Sequence, residues 1–325
     1  MTGWMFPGQG SQRAGMANGV EASKDLFEAA RSILRTDLEK LCTTDTNPTW
    51  PPDILQPALY TTSVGIGRTM LSNGLEPQAL VGHSLGEFPA LAVAGSLTFE
   101  DGLRLMALRG RAMAQAGRSH PGGMAAVIGL DRPTIEQICN DAGEVWVANL
   151  NSPSQTVISG KDRPLAEAAE QCRHAGASRV VRLNVPIAGH CPLMESAAEQ
   201  VEEALSKVSV RKPKWPIYLC ADGRPHTDPD EIKRLLVEVI TNRVRFVEAI
   251  ENMHRDGVRF FVETGPGRVL RGLVRQILPE AQLAGVDGDE QVMELATSAK
   301  PNRRGRAKER AGSARPRTTE TVRVS

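Results

Sequence analysis

The sequence predicts an α/β fold in which a mostly parallel sheet carries a small inserted subdomain. Three observations predict it. Short β-like apolar runs alternate with amphipathic stretches over most of the chain, the rhythm of strands joined by covering helices. Leu80-Val81 leads into Gly82-His83-Ser84-Leu85-Gly86 and then an apolar stretch over 88–97, which reads as strand, tight turn and buried helix. Between about 124 and 185 the rhythm becomes β-α-β-β-α-β, the ferredoxin-like supersecondary order.

Taken in order, the insertion has a β-run over 124–130, a helix from Pro133 to near Asp141, and β-runs over 145–148 and 155–159. A helix over 165–174, started by Asp162 and Pro164, and a β-run over 179–183 complete it. The alternation then resumes, and Phe260-Phe261-Val262 forms a strand that ends at Thr264-Gly265-Pro266-Gly267. The main domain is therefore expected to be discontinuous, 1–123 with 186–290, around a subdomain over 124–185. From about Ala296 apolar periodicity stops, and 296–325 reads as a disordered basic tail.

Composition bounds the rest. With 41% hydrophobic and 24% charged residues in 325, the chain has material for a substantial core. The net charge of +1 conceals an asymmetry, because 300–325 carry nine Lys/Arg against two Asp/Glu. Thirty basic against thirty-six acidic side chains precede the tail, a balance of −6. No nucleic-acid motif accompanies the tail, no run approaches about 18 apolar residues, and the N-terminus lacks the pattern of a secretory leader. The expectation is a cytoplasmic protein that binds neither nucleic acid nor membrane. Cys42, Cys139, Cys172, Cys191 and Cys220 show no CxxC or zinc spacing and read as packing residues in a reducing compartment.

Gly82-His83-Ser84-Leu85-Gly86 fits G-x-S-x-G, whose glycines permit the strained turn that lifts a serine hydroxyl to the mouth of a helix. Leu85 follows the serine, so its backbone N–H is placed to receive an oxyanion. A serine needs a base to take its proton. His83 should point away on the turn, whereas His120, His174, His226 and His254 lie in polar, surface-like surroundings. His190, where the chain should return to the main domain, is the natural candidate, and nucleophile before histidine is the chain order of α/β-hydrolases. The core is accordingly expected to be α/β-hydrolase-like.

Five blocks in register carry a resemblance: Phe6-Pro7-Gly8-Gln9-Gly10-Ser11-Gln12, Gly-His-Ser-Leu-Gly-Glu-Phe over 82–88, Leu108-Arg109-Gly110, Gly189-His190-Cys191-Pro192-Leu193-Met194, and Gly265-Pro266-Gly267-Arg268-Val269-Leu270. Over about 3–285 the chain resembles the malonyl-CoA:acyl carrier protein transacylases and the related polyketide synthase acyltransferases. The resemblance implies a Ser84–His190 dyad in which a backbone carbonyl orients the histidine, an oxyanion hole from the Gln9 and Leu85 amides, and Arg109 paired with the free carboxylate of a malonyl group. It also implies an acyl-CoA donor, the phosphopantetheine of an acyl carrier protein as acceptor, no metal or resident cofactor, and a monomer.

Three positions depart from the family. Val239 stands where relatives often have glutamine, so only its main-chain carbonyl is left to hold His190. Pro89 lacks an N–H and should distort the first turn of the elbow helix. Ile187-Ala188-Gly189-His190 places glycine beside the substrate C2 position. That glycine either enlarges the pocket for 2-substituted malonyl groups or serves the turn. Rival readings are an editing hydrolase of acyl carriers, an inactive carrier-binding scaffold, and the transacylase subunit of malonate decarboxylase. Carrier docking has basic candidates in Arg173, Arg179, Arg182, Arg211, Lys212, Lys214, Arg268, Arg271 and Arg275.

Overall fold

The computed structural model describes residues 1–185 and 187–299. The chain opens with β1 (Thr2–Phe6), then α1 (Lys24–Leu34), α2 (Leu38–Thr44) and the long α3 (Pro52–Ser72). Strand β2 (Ala79–Gly82) turns at Ser84 into α4 (Glu87–Val93), and α5 (Phe99–Ser119) follows. Next come β3 (Gly122–Ile128), α6 (Arg132–Ala142), β4 (Val145–Ser152), β5 (Gln155–Lys161), α7 (Asp162–His174) and β6 (Arg179–Arg182). The chain ends with α8 (Glu195–Ser206), β7 (Ile217–Leu219), β8 (Arg224–His226), α9 (Pro229–Thr241), α10 (Phe246–Arg255), β9 (Phe260–Thr264), α11 (Val269–Ile277), β10 (Gln282–Val286) and α12 (Asp289–Ala299).

The main sheet has the order β10-β9-β1-β2-β7-β8, parallel throughout except for the edge hairpin β7–β8. Its central strands are buried along nearly their whole length, as strands covered by helices on both faces must be. Parallel pairing brings the C-terminal ends of β1, β2 and β9 to one edge, where open α/β sheets bind ligands. The segment after β1 and the turn after β2 therefore meet there, and the His83 N–H donates to the Phe6 carbonyl at 3.0 Å.

The second sheet is antiparallel, in the order β4-β5-β3-β6. That is the spatial arrangement of the ferredoxin-like pattern, with α6 and α7 packed on it around Ile135, Ile138, Leu165 and Cys172. The side chain of Asp131 starts α6 by accepting the Thr134 N–H at 3.1 Å.

Several boundaries differ from the sequence reading. The elbow helix covers 87–93, not 88–97, because Gly95 turns at φ +73°. Strand β3 starts at Gly122, and β4 runs on through Asn149–Ser152, where two register shifts let polar residues stay in the sheet. Residues 296–299, assigned to the disordered tail, belong to α12; the remaining tail, 300–325, lies outside the described residues. His226, expected at the surface, is 9% exposed, with its ring nitrogens on Asp222 and Glu231 at 3.0 and 3.2 Å. All five cysteines are buried and free. Among the described residues no helix is long and apolar enough to cross a membrane.

Candidate active site

Ser84 sits at the turn between β2 and α4 with φ +55°, in the left-handed region. Both flanking glycines are steric requirements. A Cβ on Gly82 would lie 2.0 Å from the Glu87 nitrogen, and one on Gly86 would lie 2.0 Å from the Phe6 carbonyl oxygen. A 3-10 turn over Ser84–Gly86 precedes α4, so the first turn is distorted, and Pro89 falls among the first helical residues, whose N–H groups lack intrahelical acceptors. The same absence frees the Leu85 N–H. Gln9 follows β1, and among the described residues its amide makes no hydrogen bond.

His190 lies on the segment between β6 and α8, also at positive φ, +61°. Among the described residues only four non-glycines take such a conformation; Arg35 and Glu144 do so just after helices. Ser84 and His190 do so inside the site, where such strain costs about 1–3 kcal/mol each and persists because the surroundings enforce it. The His190 Nδ1–H donates to the Val239 carbonyl at 2.6 Å. Val239 is in the last turn of α9, where carbonyls have no helical partner. A carbonyl can only accept, so Nδ1 carries the proton and Nε2 is left to accept the Ser84 hydroxyl at 2.9 Å. Burial, with Arg109 nearby, pushes the imidazole down to about 3 although the Val239 carbonyl pulls the other way, so it is a neutral base at ordinary pH.

Arg109 reaches the same oxygen from α5. It is 2% exposed, and its Nη2 donates to Ser84 Oγ at 2.9 Å while Nη1 donates to Gln56 Oε1 at 2.9 Å. Its Nε–H has no partner among the described residues. Burial lowers the guanidinium to about 10, which leaves it cationic. The serine hydroxyl thus donates to the imidazole and accepts from the guanidinium.

Gln9, Ser84, Leu85, Arg109, Gly189 and His190 line one cavity of about 150 Å³. Val239 stands behind His190. Gly189 faces the thioethers of Met124 and Met113, which a Cβ there would meet at 3.6 and 3.7 Å, ordinary contact distances. Its φ is outside the left-handed region, so the turn does not require glycine.

Three participants had gone unread in the sequence. Gln56, fully buried in α3, holds Arg109. Glu87, fully buried beside the elbow, accepts the Cys220 N–H at 2.6 Å, and burial pushes its carboxyl up to about 8. Asn151 accepts from His83 Nε2–H at 2.9 Å and so ties the elbow to β4. The Gly-His-Ser-Leu-Gly-Glu block contains Glu87 and His83 in plain view, but nothing in the sequence brings Gln56 or Asn151 to them. Of the basic docking candidates, Lys214 pairs with Glu76, Arg173 with Glu170, Arg182 with Asp162, and Arg271 with the buried Glu263.

A serine at a strand–helix elbow, hydrogen-bonded to a histidine and to a buried arginine, is an arrangement suited to acyl transfer, and residues 3–320 match the acyl transferase domain family. The malonyl CoA-acyl carrier protein transacylase of Haemophilus influenzae is 38% identical over 296 residues, covering 87% of this chain and 94% of the relative. That of Bacillus subtilis is 36% identical over 302 residues, covering 90% and 95%. The chain belongs to the malonyl CoA-acyl carrier protein transacylase family. Among solved structures, the transacylase of Coxiella burnetii superposes with a TM-score of 0.87 at 34% identity, covering 91% of this chain and 96% of that one. A malonyl-transacylase solved in complex with a type II polyketide synthase acyl carrier protein gives 0.88 at 32% identity, covering 91% and 99%.

Proposed function

We propose that the protein moves a malonyl or 2-substituted malonyl group from coenzyme A to the phosphopantetheine thiol of an acyl carrier protein, for fatty-acid or polyketide synthesis. The observation that carries this reading is the convergence of His190 Nε2 and Arg109 Nη2 on Ser84 Oγ, both at 2.9 Å. His190 takes the Ser84 proton as Oγ attacks the thioester carbonyl, and the Gln9 and Leu85 amides receive the oxyanion. Collapse expels the coenzyme A thiolate, which takes the proton from His190 and leaves a serine ester. In the second half the carrier thiol gives its proton to His190 and attacks the ester, and Ser84 leaves with that proton. Donor and acceptor both present a pantetheine arm to one cavity, so they visit it in turn. Arg109 holds the acyl carboxylate, which disfavours plain acetyl groups and an editing role on varied acyl chains.

No metal or resident cofactor takes part. Gly189 sets a roomy C2 pocket against Met113 and Met124. The acidic carrier meets the exposed Arg268 and Arg275 beside the cavity residues Val269 and Leu273. The chain divides into a core of 1–123 with 186–290 and a subdomain of 124–185, and it works as a cytoplasmic monomer. The test is transfer from malonyl-CoA to a holo carrier protein, followed by mass, together with exchange of labelled coenzyme A into malonyl-CoA without carrier. Both reactions occur on a ping-pong route; transfer without exchange excludes the serine ester.

A further inference from the structure

Arg109 is buried, and among the described residues its hydrogen-bond partners are the neutral Gln56 and Ser84, with no carboxylate at ion-pair distance, so something neutral must set its orientation. That partner is Gln56. A guanidinium only donates, so the Gln56 atom facing it is the carbonyl oxygen, at 2.9 Å from Nη1; the amide nitrogen turns to Met113 Sδ at 3.8 Å. Gln56 has no exposed surface and lies on α3 immediately before Pro57, inside the helix. The two helices approach closely at this point, because a Cβ on Gly110 would be 2.3 Å from the Pro52 carbonyl oxygen. Glycine next to Arg109 therefore lets α5 come near enough for the arginine to be held from α3.

The planar guanidinium has a distinct edge shared by Nε–H and Nη2–H. With Nη1 occupied by Gln56, that edge is turned toward the nucleophile: Nη2 is on Ser84 Oγ, and Nε–H is unsatisfied. Two parallel donors on one edge match a carboxylate. We propose that Gln56 is the positioning residue for Arg109, fixing Nη1 so that the Nε–Nη2 edge faces Ser84 and selects acyl donors that carry a free carboxylate. The proposal rests on the reading of Arg109 as the carboxylate holder. It makes donor selectivity depend on a neutral amide of α3 that touches no substrate.

The test uses the full chain and measures the rate of Ser84 esterification by malonyl-CoA and by acetyl-CoA in wild type, Gln56→Met, Arg109→Ala and the double variant. Gln56→Met is close in shape and removes the acceptor. It is expected to lower malonyl-CoA esterification roughly 10- to 100-fold, the loss of one hydrogen bond to a charged group, and to leave the slow acetyl-CoA reaction within about threefold. In the Arg109→Ala background it should change the malonyl-to-acetyl ratio by less than about twofold, because the two residues act as one unit. Gln56→Asn, which withdraws the amide by one methylene, should shift the ratio in the same direction. It supplies the answer if thermal melting shows Gln56→Met unfolded. Equal losses for both donors, or an additive loss in the double variant, would mean a packing role only and overturn the proposal. An unchanged ratio in Arg109→Ala alone would instead remove the carboxylate reading beneath it.

Discussion

Replacing Gly189 by alanine separates the two explanations for a glycine beside His190. The new methyl would sit 3.6 Å from Met124 Sδ and 3.7 Å from Met113 Cε, with nothing else within 3.9 Å, so no atom has to move. Because φ there is ordinary, the folded state gains no strain. The unfolded chain loses freedom, so Gly189→Ala should stabilise by about 0.4–1 kcal/mol, a rise in melting temperature of about 0.5–1.5 °C for a chain of this length. The same methyl takes space at the cavity wall. One methylene in an apolar pocket alters discrimination by about 1–3 kcal/mol, or roughly 10- to 200-fold. The expected outcome is malonyl loading within about twofold of wild type and an ethylmalonyl-to-malonyl ratio at least about tenfold lower. Equimolar competition of the two CoA esters, read as serine-ester masses, measures it. A variant that melts lower, or an unchanged ratio, would refute the idea that Gly189 is there for pocket volume.

Three further residues, His190, Glu87 and Val239, carry expectations from the same geometry. His190 is held near 3 by burial against its usual 6.5, so serine esterification should stay level from about pH 8 to pH 5 instead of falling through 6.5. Its contribution to stability is present above 6.5 and is lost as pH falls toward 3, because only the unfolded chain binds the proton there; melting temperatures across pH 4–7 check the sign. Glu87, raised from 4.5 to about 8, has the opposite linkage: its contribution is full below 4.5 and is lost as pH rises through 8. Glu87→Gln keeps an acceptor for the Cys220 N–H and should melt higher than wild type at pH 8–9, with little difference at pH 5; the reverse order would contradict a buried neutral carboxyl. Val239→Ala removes core methyls and should cost about 1–3 kcal/mol in denaturant titration, yet leave esterification within about threefold, because His190 is held by the main-chain carbonyl. A loss of 100-fold in folded protein would assign that work to the side chain.

The fold was legible where local chemistry and global packing agree. Gly82 and Gly86 announce the elbow because only glycine fits against Glu87 and Phe6, and the ferredoxin-like order was readable because the short β-like runs around the β4–β5 hairpin are separated by the amphipathic stretches of α6 and α7. Reading failed where tertiary structure overrode the pattern. Asn149 to Ser152 look like a loop, but their backbone is held by β5 and by a bridge from Asn149 to Val244. His226 looks exposed among polar neighbours, and those neighbours, Asp222 and Glu231, are what keep it buried. In the site, Ser84, His190 and Arg109 carry reactive groups that a search for chemistry finds. Gln56 is a neutral amide in an apolar helix, and its meeting with Arg109 depends on the close approach of α3 and α5 at Gly110, which no short motif records.

The central claim is a covalent relay through Ser84, and the most direct measurement is the intact mass of the protein after brief incubation with malonyl-CoA. A malonyl adduct on the wild type that is absent from Ser84→Ala, and that disappears when a holo carrier protein is added, is the predicted result. A folded wild-type protein that stays unmodified, or an adduct that persists in Ser84→Ala, would contradict it.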